Sequence, residues 1–313
     1  MASETSKRVL IFGATGVIGK YIIQEVVNVK SSFDKIGLFT SPETAKNKPD
    51  EINSWKEKGV AIHVGDVNSE EDVKKSYEGY DTVISALGRN AILTQIPLLK
   101  LAEASPSIKY FYPSEYGTDI EYGPKSPNEK PHQLKLQVRK FIRGNVKKLK
   151  ITYLVTGPYS DLFIAPNKDA RIGSFSPKDR KATLLGTGTE RVSFTTMRDV
   201  GRLLVAALQT ATGSSERILK VNSFTATGDE TVKEFEAQTG EKWDVRYTPL
   251  DELRMLEQQA WQEDWPSKTP LTLRRIWTEG GTLYESRDNG EIGFDEGLET
   301  LGDQVKSTIA KHG

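Results

Sequence analysis

None of the 313 residues is cysteine, and histidine occurs three times. Disulfides, thiolate catalysis and cysteine-bound zinc are therefore excluded, and His63, His132 and His312 offer little from which to build a metal site. The longest uninterrupted apolar run, residues 203–208, is far shorter than the ~20 residues that span a bilayer. No apolar signal core precedes the first expected strand. We therefore expect no metal and no membrane partner, and a reduced, cytoplasmic setting.

A net charge is also lacking. The 43 basic residues balance the 43 acidic ones, and the isoelectric point is about 6.9. A nucleic-acid binder usually carries a basic patch and a basic overall balance, so we expect no nucleic-acid partner. We therefore expect the partner to be a small molecule. We expect the protein itself to be a monomer or a homodimer.

The first half of the chain alternates short β-branched runs with longer segments of helical spacing or loops. Nearly continuous apolar runs are typical of strands that are buried on both faces of a parallel sheet. The pattern predicts an α/β fold with a doubly wound parallel sheet. Its expected strands are Val9–Phe12, Ile36–Thr40, Val60–Val64, Thr82–Ala86, Ile108–Tyr112 and Ile151–Val155.

The second half is less regular. We expect a nucleotide-binding domain over residues 1–156 and a smaller α+β substrate-binding cap over 157–313, with residues 190–225 returning to the sheet. Residues 172–188 and 265–281 are rich in glycine, proline and polar side chains, and we expect them to be irregular. Four of the five tryptophans lie in this half, where they either line a site for a flat organic ligand or form an ordinary aromatic core.

Three glycines at a spacing of three follow the first strand and precede a helix. Gly13 would make the tight turn, Gly16 would let the backbone approach a pyrophosphate, and Gly19 would let the helix pack against its strand. The helix N-terminus then offers N–H groups to the phosphates. The context predicts a Rossmann-type domain whose dinucleotide site also includes the residues between the glycines, Thr15, Val17 and Ile18.

Cofactor choice is decided where the second strand ends. No carboxylate lies at this strand tip, while Thr40, Ser41 and Lys46 could hydrogen-bond or pair with a 2′-phosphate, so NADPH is favoured over NADH. The alternative is that Lys46 belongs to a solvated loop. Later strand ends complete the expected groove with Asp66 and with a short segment that contains Ser85, Ala86 and Leu87.

The usual catalytic pair of short-chain dehydrogenases is absent. In that pair a lysine lies four residues after a tyrosine and lowers the pKa of the phenol. None of the eleven tyrosines has a lysine at that position. The chain is therefore either an atypical reductase or not an enzyme.

Two segments resemble a known family. Tyr-Phe-Tyr-Pro-Ser-Glu-Tyr-Gly over 110–117 and Lys-Leu-Gln-Val-Arg-Lys over 135–140 are similar to the Pro-Ser-Glu-Phe-Gly and Lys-x-x-Val-Arg-Lys motifs of the isoflavone reductase-like enzymes of the NmrA-like group. The resemblance implies an NADPH-dependent reductase that transfers hydride to a conjugated or benzylic carbon of an aromatic metabolite. It implies that Lys135 is the catalytic acid or oxyanion stabiliser and lies beside the cofactor with Pro113.

Four further residues are candidates for substrate binding, namely Tyr116, His132, Tyr159 and Phe163. Two of them also have a purely structural interpretation, since His132 could cap or pack and Phe163 could belong to the core. Lys135 itself begins a basic stripe with a spacing of four, which is equally typical of a solvated helix face.

Two departures from the plant-type pattern limit the resemblance. Ser41 stands where an arginine usually grips the 2′-phosphate, and Gly157 replaces a common asparagine. Two other functions therefore stay open, a dinucleotide-sensing regulator without turnover and a redox-neutral isomerase that uses bound cofactor.

Overall fold

The computed structural model describes residues 5–313. The strands of this part of the chain are β1 (Arg8–Phe12), β2 (Lys35–Thr40), β3 (Ala61–Val64), β4 (Thr82–Ser85), β5 (Tyr110–Tyr112), β6 (Lys150–Val155), β7 (Ser174–Ser176), β8 (Lys181–Leu185), β9 (Val192–Phe194), β10 (Glu216–Lys220), β11 (Phe224–Ala226) and β12 (Asp244–Thr248). The α-helices are α1 (Gly19–Asn28), α2 (Pro42–Asn47), α3 (Pro49–Glu57), α4 (Glu70–Tyr77), α5 (Gln95–Ala104), α6 (Gln133–Asn145), α7 (Ser160–Phe163), α8 (Met197–Gln209), α9 (Gly228–Thr239), α10 (Leu250–Gln262), α11 (Lys268–Thr278) and α12 (Leu301–His312).

Seven strands form the central sheet, in the order β3-β2-β1-β4-β5-β6-β10. Every neighbouring pair is parallel. The strand order reverses at β1, where the chain leaves toward β2 on one side and β4 lies on the other. Ligands bind at such a switch point, outside the carboxyl ends of the strands. The doubly wound, Rossmann-type α/β fold expected from the sequence is confirmed.

Successive side chains of β1 enter two different cores. Val9 and Ile11 pack into the core that contains the apolar faces of α1 and α8, whereas Leu10 and Phe12 pack into the core that contains those of α4, α5 and α6. All four are almost fully buried. Helices cover both faces of the sheet, which explains why the strand is written as a continuous apolar run.

The chain returns to the sheet after entering the second half. Helix α8 packs along α1, and Gly201 makes this possible, since a Cβ there would lie 2.6 Å from the Tyr21 carbonyl oxygen. Strand β10 then pairs with β6 at the edge of the sheet. Residues 197–220 therefore belong spatially with the first half.

The remaining elements form a smaller α+β layer. It contains a three-stranded sheet, β12-β8-β7, a two-stranded sheet, β11-β9, and α9 to α12. The expectation of irregular structure over 172–188 and 265–281 was wrong. Residues 177–180 are the turn of a β7–β8 hairpin, and Pro270 lies in the first turn of α11, where a proline does not interrupt helical hydrogen bonds. Within residues 5–313, no helix combines the length and the apolar character that crossing a membrane requires.

Candidate active site

The glycine turn after β1 is held by close backbone contacts. Gly13 has a φ of +79°, and a Cβ on it would lie 2.6 Å from the carbonyl oxygen of Ala86. A Cβ on Gly19 would collide with the Gly13 carbonyl group. The Gly16 N–H donates to the Gly13 carbonyl at 3.0 Å and closes the turn. Only glycine fits these approaches, and the turn delivers the chain directly into the N-terminus of α1.

A cavity lies on each side of this turn. The smaller, of about 170 Å³, is lined on the β2 side by residues that include Gly13, Thr15, Thr40 and Ser41. The larger, of about 570 Å³, lies on the β4 and β5 side. Its lining includes Gly16, Val17, Ile18, Ala86, Leu87, Tyr116, His132, Lys135, Tyr159 and Phe163. The two cavities with the glycine turn between them fit the two halves of a dinucleotide and its pyrophosphate.

The polar groups at the β2 end are arranged by α2. Ser41 is the N-cap of this helix, and its hydroxyl accepts from the Thr44 N–H at 3.1 Å. Lys48, just beyond the C-terminus of α2, donates from Nζ to the Thr15 carbonyl at 2.8 Å. Lys46 and Lys48 are both exposed, and neither contributes to the lining of a cavity. Lys48 also lies 3.7 Å from the Glu51 carboxylate, but of the two lysines it is the one that contacts the glycine turn. The lysine beside the glycine turn is therefore Lys48 rather than Lys46.

Four other expected cofactor residues, Gly19, Asp66, Ser85 and Pro113, do not line either cavity. The Asp66 carboxylate accepts from the backbone N–H of Asn68 at 2.9 Å and from its side-chain amide at 3.1 Å. Ser85 is fully buried within the sheet, and Pro113 is buried at the start of the loop that follows β5. Their neighbours Ala86, Leu87 and Ser114 reach the larger cavity instead.

Lys135 projects from α6 into the wall of the larger cavity, and about one fifth of its side chain is exposed. Its ammonium group donates to the backbone carbonyl of Glu115 and lies 3.8 Å from the Glu115 carboxylate. Burial lowers the pKa of Lys135 to about 8, the carboxylate of Glu115 opposes this, and the cations Arg89 and Arg139 reinforce it. The group can therefore release a proton close to neutral pH.

The basic stripe on α6 is not a solvated face. Arg139 is 1% exposed and donates to Glu115 at 2.9 Å and to Glu121 at 2.6 Å. Its guanidinium also lies over the ring of Tyr153, 4.6 Å from the centroid. One turn further on, Arg143 pairs with Glu121 at the surface. This network holds Glu115, and Glu115 in turn holds the ammonium group of Lys135.

His132 is buried just before α6 with one ring nitrogen engaged. Its Nδ1 lies 3.0 Å from the Ser126 carbonyl oxygen. A carbonyl can only accept, so Nδ1 carries the hydrogen. Burial lowers the pKa of His132 and favours the neutral ring, in which Nε2 is then a hydrogen-bond acceptor. That Nε2 is buried without a partner, and the residue lines the same cavity as Lys135.

Aromatic residues form the wall of the cavity. The Tyr159 hydroxyl donates to the Tyr116 carbonyl. The Tyr116 hydroxyl is buried without a partner, and burial raises its pKa well above the usual value. Phe163 packs against Phe194 and Trp277, with ring centroids at 5.0 and 5.8 Å. Phe163 therefore serves both the cap core and the cavity.

The lining of the larger cavity also includes residues that the sequence analysis did not single out. Helix α11 supplies Arg274 and Trp277 to the lining, and the loop after β4 supplies Arg89. The Trp277 indole N–H donates to the Thr118 hydroxyl at 2.8 Å and ties the cap to the loop after β5. No local sequence signal separates Arg274 from the adjacent Arg275, because their burial depends on packing of the folded cap.

Fold and site together define an α/β protein of the Rossmann class, with a largely apolar cavity at the carboxyl ends of its strands that contains a few polar groups. The model of the NmrA-like family matches residues 5–269, and the chain belongs to that family. The family expected from the two motifs is thereby confirmed.

Known proteins resemble this chain in sequence and in structure. An isoflavone reductase homologue of Arabidopsis thaliana is 27% identical over 256 residues, which make up 81% of each chain. Leucoanthocyanidin reductase of Vitis vinifera, in its binary complex with NADPH, has a TM-score of 0.80 at 21% identity and covers 97% of this chain and 99% of its own. One of the crystal structures of pinoresinol-lariciresinol and phenylcoumaran benzylic ether reductases has a TM-score of 0.81 at 19% identity, over 98% and 100% of the two chains.

Proposed function

We propose that the protein is an NADPH-dependent reductase that transfers hydride to a conjugated or benzylic carbon of an aromatic substrate. The observation that carries the proposal is the ammonium group of Lys135, which lies in the wall of a cavity that also reaches the glycine turn. Likeness to proteins described as isoflavone, leucoanthocyanidin and benzylic ether reductases supports the reaction class.

The residues present fit a dinucleotide. The close approaches at Gly13 and Gly19 keep side chains out of the turn, so its backbone and the N-terminus of α1 are free to receive a pyrophosphate. We assign preference for NADPH over NADH to Ser41, which follows β2, and to Lys48 at the C-terminus of α2. When bound, NADPH supplies the hydride.

Lys135 would supply the proton. Hydride addition to a conjugated carbon leaves negative charge on the substrate oxygen, and a positioned ammonium stabilises that charge or protonates it. Its pKa of about 8 leaves most of the group charged at neutral pH yet makes it a far better acid than an exposed lysine. His132 Nε2 would accept a hydrogen bond from a phenolic hydroxyl of the substrate, and the aromatic wall excludes water.

The proposal is tested by following NADPH oxidation with phenolic enones, quinone methides and benzylic ethers. Lys135→Met should lower the rate of hydride transfer by about 100-fold or more, as expected for loss of a general acid, and leave NADPH affinity unchanged. Lys140→Met is a matched control because Lys140 is exposed on the same helix.

Two outcomes would contradict the proposal. Tight NADPH binding without turnover of any aromatic substrate, and with Lys135→Met indistinguishable from the wild type, would indicate a cofactor-sensing regulator. A product of unchanged mass, formed without net NADPH consumption, would indicate an isomerase.

A further inference from the structure

Arg274 is a buried cation without a counter-ion. Its residue is 5% exposed. Nη2 donates to the Leu162 carbonyl at 3.3 Å, whereas Nη1 is buried and has no hydrogen-bond partner. No carboxylate in residues 5–313 forms an ion pair with it, and burial alone lowers its pKa to about 10. A buried guanidinium normally has an anionic partner, because an uncompensated buried charge is strongly unfavourable.

The next residue shows that carboxylates are abundant in this region. Arg275 follows Arg274 directly on α11 and pairs with three of them, at 2.6, 2.5 and 2.8 Å, namely Glu129, Glu257 and Glu279. The cap therefore neutralises one arginine fully and leaves its neighbour unpaired. The difference lies in what Arg274 borders.

Arg274 borders the larger cavity. It is one of the lining residues, as are Leu162 and Phe163, which hold its guanidinium in place. The guanidinium carbon lies 4.5 Å from the centre of the Phe163 ring. The unpartnered Nη1 is packed close to Gly173, which does not belong to this lining. A group in the cavity would therefore reach the guanidinium from its other edge, and Lys135 supplies a second cation there.

The charge of the lining is positive overall. Its cationic members are Arg89, Lys135 and Arg274, and its acidic member is Glu115. One oxygen of Glu115 is already bonded to Arg139. A ligand with a single negative charge would therefore lower the electrostatic free energy of the cavity rather than raise it.

We infer that Arg274 is a specificity-determining residue that binds the carboxylate of an aromatic acid in this cavity. The planar guanidinium matches the two oxygens of a carboxylate, and the apolar and aromatic wall matches the rest of such a molecule. The inference rests on the proposed function for the reaction that the bound acid would undergo. It adds that the preferred substrate carries an acidic group away from the reacting carbon.

The test compares two ligands that differ only in charge. 4-Hydroxycinnamate and its primary amide are titrated into the protein saturated with NADP⁺, and binding is followed by calorimetry and by quenching of tryptophan fluorescence. A charge-assisted pair predicts that the acid binds about 10- to 100-fold more tightly than the amide. Arg274→Met should abolish this preference, and Arg274→Lys should retain part of it.

Arg246→Met is the control for loss of one positive charge, because Arg246 is exposed on β12. It should keep the full preference for the acid. Thermal unfolding and NADP⁺ binding establish that each variant is folded. The comparison of acid and amide binding to the wild-type protein does not depend on any variant.

Equal affinity of acid and amide for the wild type, or no saturable binding of the acid, overturns the inference. So does a preference that survives in Arg274→Met. Preference for the acid with no NADPH oxidation would leave the inference standing and remove the proposed function. Rapid reduction of neutral enones, unaffected by Arg274→Met, would leave the proposed function standing and overturn the inference about Arg274.

Discussion

Protonation of Lys135 predicts how the rate of reduction depends on pH. Burial lowers the pKa of this ammonium group from 10.5 to about 8. At roughly 1.4 kcal/mol per pKa unit, the difference corresponds to about 3 kcal/mol of lost stability of the charged form. The protonated form is the proton donor, so the rate should be constant well below pH 8 and halved near pH 8. It should fall to about one tenth of the plateau at pH 9.

Single-turnover oxidation of NADPH measures this alkaline limb of the pH–rate profile without interference from product release. Lys135→Arg provides the control, because a guanidinium stays protonated throughout the range. Its rate should be lower than that of the wild type and independent of pH. Competitive chemical labelling of the Lys135 amine gives the same pKa without turnover. An alkaline limb near 10.5, or the same limb in Lys135→Arg, would refute the assignment of the proton to Lys135.

Three further predictions concern the parts that position the site. Gly19→Ala should lower the free energy of unfolding by about 1–3 kcal/mol through overpacking and weaken NADPH binding in calorimetry. Gly144→Ala, where a Cβ meets nothing within 4 Å, should leave NADPH binding unchanged and should not lower the free energy of unfolding. Lys48→Ala should weaken binding of NADPH by about tenfold and of NADH much less, while Lys46→Ala leaves both unchanged. Arg139→Met should lower the free energy of unfolding by about 3–5 kcal/mol in urea titrations, because it removes the cation closest to the buried carboxylate of Glu115.

The sheet could be predicted because its signal is local. The run Val9–Phe12 is apolar at every position, and both faces of β1 are indeed buried. Helix α11 could not be predicted in the same way. Pro270 and the polar residues around it are typical of a loop, and the helix is stabilised by packing of Leu271 and Ile276 in the folded protein. Tertiary packing overrides propensity there.

The residues of the candidate site also differ in whether a local sequence signal identifies them. Lys135 and Tyr116 belong to short motifs whose residue types and spacing are visible in the sequence, and the structure brings both to one cavity. The choice between Lys46 and Lys48 is different, because it depends on where α2 begins and ends. Arg274 is further still from local signals, since only the folded structure separates it from Arg275.

Unsatisfied polar atoms link these observations. Buried polar groups in folded proteins almost always have partners. Of twelve buried side-chain atoms that lack one in the described part of the chain, four belong to residues lining the larger cavity, namely Glu115, Tyr116, His132 and Arg274. These residues lie in the loop after β5, in the segment just before α6, and in α11. Both halves of the protein therefore contribute buried atoms without hydrogen-bond partners. Because the set includes donors, acceptors and a cation, a ligand that satisfied all four would need polar groups at more than one point along its length.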